Sequence, residues 1–180
     1  MELASWVRRP DPVPAAIGLA VVNALVEEPR GVLEGDLLAT LRIRPEDEVG
    51  MVGHFGPLVR ELRRRAGALH IFERHRPTEP GVLPDQAAAE LLPKCQVVII
   101  SATTLLNGTL EGLLQQTNGA REVVILGPST PLVPECFASR PVTLLSGVRI
   151  TDPERVLRVV SEGGGTREFG DAVRKVTLKT

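Results

Sequence analysis

Four short apolar runs, each closing in a polar or glycine-bearing turn, constrain this chain most. The run at 49–52 leads into Gly53-His54-Phe55-Gly56-Pro57, and the run at 69–72 ends in Glu73-Arg74. The run at 97–100 leads into Ser101-Ala102-Thr103-Thr104, and the run at 122–126 into Gly127-Pro128-Ser129-Thr130-Pro131. In an open parallel α/β sheet the carboxyl ends of the strands share one edge, and ligands bind in the crevice outside it. Hydroxyls, backbone N–H groups and one acid from four separate segments are therefore expected to meet in one place.

The segments between these runs carry helical spacing. Pro14 suits a first turn, and Ala16, Ile17, Ala20, Val21, Ala24 and Leu25 give one apolar face of mostly small residues. Such a face can lie close to a sheet or to a second copy of itself. Leu58, Leu62 and Ala66 form the apolar stripe of a helix over 57–66, whose arginines Arg60, Arg63, Arg64 and Arg65 fall on its solvated side. Residues 32–48 read as a linker, and residues 74–93, with four prolines, as one or two helical turns. Leu106, Leu110, Leu113 and Leu114 mark a further helix, and 131–137 a short helix or turn. A fifth strand is expected at 142–145. Thr151-Asp152-Pro153-Glu154 starts a last helix at capping-box spacing, and 173–179 is expected to form a final edge strand. Strands alternating with helices predict an α/β fold: a Rossmann-like three-layer sandwich with a mostly parallel sheet. Residues 1–48 are expected to be an N-terminal helix and linker packed on a main domain of residues 49–180.

Composition excludes several classes of function. With 21 Lys and Arg against 22 Asp and Glu, the formal net charge of −1 provides no field for nucleic acid or an anionic membrane. Aromatic residues are only 3% of the chain and Tyr is absent, so stacking platforms for single strands are not expected. The apolar stretch at 15–26 is interrupted by Gly18 and Asn23 and is too short to span a bilayer. The first residues lack the basic and apolar regions of a secretory signal, and Cys95 and Cys136 form no CxxC pair. A reduced, cytoplasmic setting is expected.

The first turn resembles a degenerate dinucleotide fingerprint. The three glycine positions of G-x-G-x-x-G hold Met51, Gly53 and Gly56, and Glu73 stands 20 residues after Gly53, where an acid would bind ribose hydroxyls. Pro57 removes one N–H from the helix start. A modified Rossmann loop that binds no nucleotide accounts for the same residues. Thr103, Thr104, Asn107 and Thr109 sit where the third strand enters a helix and could receive an anion or a carboxylate; capping by Thr103 or Thr104 is the structural alternative. Gly127-Pro128-Ser129-Thr130-Pro131 brackets two hydroxyls in a stiffened turn. Gly163-Gly164-Gly165-Thr166 could close over a phosphate or act as a joint. His54, Glu73 and His75 are weak candidates for a metal site; His70 reads as structural and Cys95 as a small core residue.

Taken together, AAIGLAVVNAL (15–25), VGMVGHFGPLV (49–59), FER (72–74), ATTLLNGTLEGLL (102–114), ILGPSTPLVPE (125–135) and GVRITDPERVLRVVSEGGGT (147–166) resemble the putative heavy-metal chelation domain family of prokaryotes. The resemblance implies a Rossmann-like domain. In longer relatives this domain follows an enolase-N-terminal-like domain, with the presumed site between the two. The matched positions are Gly53, Phe55 and Pro57, then Glu73, Thr103, Thr104 and Asn107, then Gly127-Pro128-Ser129-Thr130, with Asn23 as a weaker candidate. The preceding domain has no counterpart here, so its wall would come from a second copy, most simply in a homodimer, from a separate N-terminal-type polypeptide, or not at all.

The function expected is a small-molecule binding protein whose ligand is anionic, nucleotide-like or metal-complexing. Thr103, Thr104, Asn107, Ser129 and Thr130 would hold anionic groups, and Glu73 a hydroxyl or a cation, beside Gly53, His54, Phe55, Gly56, Pro57, Gly127 and Pro128. The alternatives are a transferase-type enzyme using an S-adenosyl or dinucleotide cofactor, and a subunit that needs a partner domain to complete its site.

Overall fold

A computed structural model describes residues 2–27, 29–74 and 80–180. Eight strands form one sheet in the order β1-β8-β7-β6-β5-β2-β3-β4. They are β1 (Leu33–Glu34), β2 (Glu48–Val52), β3 (Ala68–Phe72), β4 (Val82–Leu83), β5 (Val97–Ser101), β6 (Glu122–Leu126), β7 (Leu144–Ile150) and β8 (Val173–Lys179). The six strands from β4 to β7 run parallel, while β8 is antiparallel to both β7 and β1. The parallel block has the Rossmann order, with its topological switch between β2 and β5.

The period of two in the strands sets the layers. In β5, Val98 and Ile100 face one side and Val97 and Ile99 the other, all four fully buried. Helices α2 (Leu37–Thr40) and α3 (Gly56–Arg65) bring Leu37, Leu58 and Leu62 against Val49, Met51 and Ile71 on one face. Helices α4 (Ala88–Leu91) and α5 (Leu110–Gln115) bring Ala88, Leu110 and Leu114 against Phe72, Val98 and Ile100 on the other. Helices on both faces of a mostly parallel sheet make the expected three-layer α/β sandwich.

Helix α1 (Pro12–Leu25) stands apart from both cores. Asp11 accepts a hydrogen bond from Val13 N–H (3.3 Å) and Pro12 opens the first turn. The helix packs on a 3-10 segment, Leu3–Arg8, so closely that a Cβ at Gly18 would fall 2.1 Å from the Val7 nitrogen. None of its residues joins either apolar cluster. The last helix, α6 (Pro153–Ser161), buries no residue and leaves Leu157 and Val160 exposed.

Several expectations about elements need correction. Strand β8 is internal; the sheet edge beyond it is β1, inside the segment read as a linker, which also contains α2. The proline-rich stretch supplies β4. The fifth parallel-type run continues to Ile150, because β8 pairs along all seven of its residues. Two-residue strands carry no periodicity, so only their pairing partners reveal them.

The amino-terminal edge is held by Asp47, which precedes β2, and Arg121, which precedes β6. The guanidinium donates two hydrogen bonds to the carboxylate, Nη2 to Oδ2 at 2.6 Å and Nη1 to Oδ1 at 3.2 Å. Burial opposes ionisation of Asp47. The hydrogen bonds from Arg121 and from Arg44 N–H, with the Arg121 charge, outweigh it and hold the carboxyl below its ordinary value. No helix among the described residues is long and apolar enough to cross a membrane.

Candidate functional site

The carboxyl edge of the sheet carries the glycine and hydroxyl turns, as the topology requires. At the switch point Gly53 (φ +93°) leaves β2 in a conformation that a side chain rarely adopts. A Cβ there would lie 3.0 Å from the Ser101 Cβ at the end of β5. The Ser101 hydroxyl in turn lies 2.8 Å from Thr103 Oγ1 and accepts weakly from Thr103 N–H at 3.4 Å. Ser101, rather than Thr103 or Thr104, is thus the cap of the 3-10 turn Ala102–Leu105.

Other polar groups of this edge are engaged with the chain itself. Thr104 is buried and donates from Oγ1 to the Ser101 carbonyl (2.6 Å). Asn107 Oδ1 accepts from both the N–H and the hydroxyl of Thr109, closing a local turn. Glu73 accepts from His54 N–H through Oε2 (3.2 Å) and from Arg74 N–H through Oε1 (2.9 Å). Its carboxylate braces the first turn. Among the described residues, no three His, Cys, Asp or Glu side chains come together as metal ligands. His75 lies outside the described residues.

Two clefts open along this edge. The larger, about 1140 Å³, runs from His54-Phe55-Gly56-Pro57 past Gly127-Pro128 and Ser146-Gly147 to the loop 165–168 and the start of β8. Its charged groups come mainly from two segments distant in sequence. Asp36 pairs with Lys175 (3.0 Å), and Glu34 with Arg149 (3.2 Å). Burial opposes ionisation of Asp36, but the Leu38 N–H and Lys175 prevail and hold its carboxyl below the ordinary value. Arg167 and Arg174 also line this cleft and form no ion pair among the described residues. Arg167 Nη2 lies 3.4 Å from where a Cβ at Gly56 would be, over the first residue of α3. That helix begins after Phe55 with no side-chain cap.

The smaller cleft, about 700 Å³, lies between α1 and the turn after β6 and includes Asn23, Ser129 and Thr130. Asn23 Nδ2 donates to the Ser129 carbonyl at 3.0 Å. Thr130 is buried, and its Oγ1 has no hydrogen-bond partner among the described residues. Such an unmet hydroxyl costs about 1–3 kcal/mol.

Of the residues expected to form a site, the larger cleft brings together His54, Phe55, Gly56, Pro57, Gly127 and Pro128, and the smaller one Pro128, Ser129 and Thr130. Gly53, Glu73, Thr103, Thr104 and Asn107 line neither. The sequence reading missed Arg167 and Arg174. The first follows the glycine run at 163–165, which was the available signal; Arg174 alternates in a strand like any exposed charge.

These features define a class: a Rossmann-like α/β domain with ligand-sized clefts at the carboxyl edge of its sheet. A family model described as "Putative heavy-metal chelation" matches residues 36–179, and the chain belongs to that family. An uncharacterized protein of Methanocaldococcus jannaschii is 29% identical over 174 residues, spanning 94% of this chain and 67% of that protein. A crystal structure of a protein of unknown function from this family in Desulfitobacterium hafniense DCB-2 superimposes with a TM-score of 0.86 at 32% identity, over 99% of this chain and 73% of that one. A second, from Pyrococcus horikoshii, gives a TM-score of 0.90 at 23% identity, over 99% and 74%. About a quarter of each solved chain therefore has no counterpart here.

Proposed function

We propose that the larger cleft binds a small organic anion, carboxylate-rich or phosphate-bearing, free or as its metal complex. One observation carries the reading: the Arg167 guanidinium stands over the uncapped start of α3. A helix amino terminus has about half a positive charge, so two positive ends face each other there. An anion between them would satisfy both, with Arg174 as a further donor. A bare metal ion does not fit the described residues, since no three suitable ligands converge. A metal would enter already held by the organic anion.

A dinucleotide at the switch point is less well supported. The first fingerprint glycine is replaced by Met51, Pro57 lacks an N–H, and the Glu73 carboxylate already receives two backbone N–H groups. Titration calorimetry with citrate, pyrophosphate, nickel citrate, NAD and S-adenosylmethionine tests both readings. Binding of citrate or its nickel complex, weakened about tenfold or more in Arg167→Ala, is the expected outcome. Binding of NAD or S-adenosylmethionine alone would replace this reading with the cofactor enzyme.

A second reading is favoured by exposed apolar side chains. Val13 and Ile17 on α1, and Leu157 and Val160 on α6, are each more than two-fifths exposed. They support a site completed by a second copy or a separate polypeptide. Sedimentation equilibrium of the wild type and of a Leu157→Ser/Val160→Ser variant tests self-association. A strictly monomeric wild type removes the homodimer.

A further inference from the structure

The smaller cleft differs from the larger one in chemistry. Its walls are mainly aliphatic: Ala16, Leu19 and Ala20 come from α1, and Leu132, Val148 and Val176 from the body. Its volume of about 700 Å³ falls in the range of roughly 300–1,000 Å³ usual for small-molecule sites. Helix α1 contributes no residue to either apolar core, and Asn23 to Ser129 is a hydrogen bond across the gap. An apolar helix face held off an apolar wall forgoes the contacts that close packing would provide. Among the described residues, two ionisable ones line the cleft, Glu27 and Arg149, and Arg149 is paired with Glu34. The second observation is Thr130, a wall residue only 4% exposed whose buried Oγ1 lacks a partner among the described residues.

We propose that this cleft is a separate site for an uncharged, largely apolar small molecule carrying one hydrogen-bonding group, which pairs with the Thr130 hydroxyl. The aliphatic walls supply affinity through area removed from water, and the hydroxyl fixes orientation. The proposal is independent of anion binding in the larger cleft.

N-phenyl-1-naphthylamine, neutral with a single N–H, is a suitable fluorescent probe. The wild type is expected to bind one molecule per chain, saturably, with no displacement by excess citrate. Thr130→Val keeps the shape and removes the hydroxyl; it should weaken the probe roughly three- to tenfold while raising the melting temperature. Ala20→Phe fills the cleft from the exposed side of α1 and should weaken binding at least tenfold. Ala24→Phe serves the same purpose if circular dichroism shows the first variant unfolded. No saturable binding by the wild type, or undiminished affinity in the cleft-filling variant, overturns the site. Unchanged affinity in Thr130→Val overturns the hydroxyl contact, and displacement by citrate overturns its separateness.

Discussion

Gly53 and Ser101 meet at the switch point of the sheet, where a Cβ on the glycine would lie 3.0 Å from the Cβ of the serine. Gly53 follows β2 and Ser101 ends β5, its parallel neighbour, so the first turn and the hydroxyl turn lie side by side. Glycine is required twice over, by φ +93° and by this approach. Gly53→Ala is expected to destabilise the fold by about 2 kcal/mol, read as a lower urea midpoint at unchanged m-value.

Arg167 offers a test that separates binding from stability. Its guanidinium adds positive charge beside the uncapped start of α3. Arg167→Ala should therefore leave the ligand-free protein equally stable or more stable by about 0.3–1 kcal/mol, while citrate binding weakens. Thermal melts with and without citrate measure both; a loss of ligand-free stability would show that the arginine holds the loop rather than the ligand.

Asp47 should dominate the acid limb of stability. Its side chain is 2% exposed and its partner Arg121 is 30% exposed. Asp47→Ala leaves the guanidinium without its acid and is expected to cost about 3 kcal/mol at pH 7. The folded-state pKa lies below the unfolded one, so this stabilisation is present above about pH 4 and fades as the pH falls through the folded value. The difference in urea stability between wild type and variant should therefore shrink below about pH 4. A difference that stayed constant down to pH 2 would show that packing, and not the ion pair, is what the substitution removed.

The two thiols should differ sharply in reactivity. Burial, with the Glu48 charge behind it, pushes the Cys95 thiol up to about 11, and its Sγ–H is directed at the Leu91 carbonyl (3.3 Å). Cys136 is exposed. Ellman's reagent at pH 8 should label one thiol in the native protein and two in denaturant, and Cys136→Ser should abolish the native reaction.

Local sequence determined what depends on local spacing. Short apolar runs placed β2, β3, β5 and β6 to within a residue or so, most clearly in β5, where buried β-branched residues follow one another without a break. Leu58 and Leu62, one helical turn apart, fixed the buried side of α3. Alternation of the two element types gave the parallel sheet, and with it the edge on which the polar turns gather.

Turn geometry and tertiary structure together decided which of those polar groups remain available: Thr104 and Asn107 are held by near neighbours in the chain, and Glu73 by the distant His54. Thr104, Asn107 and Glu73 are the same residue types as any anion binder, yet each donates or accepts within the chain, a matter of loop geometry rather than composition. Strands β1 and β4, two residues each, exist only through their partners β8 and β3. Arg167 reaches the start of α3 from the far end of the sequence because strand order brings the loop after α6 over β2's first turn. Periodicity records which face a residue turns to the core; it does not record which distant charge it will meet. That depends on sheet order and register, set by contacts between segments far apart in the chain.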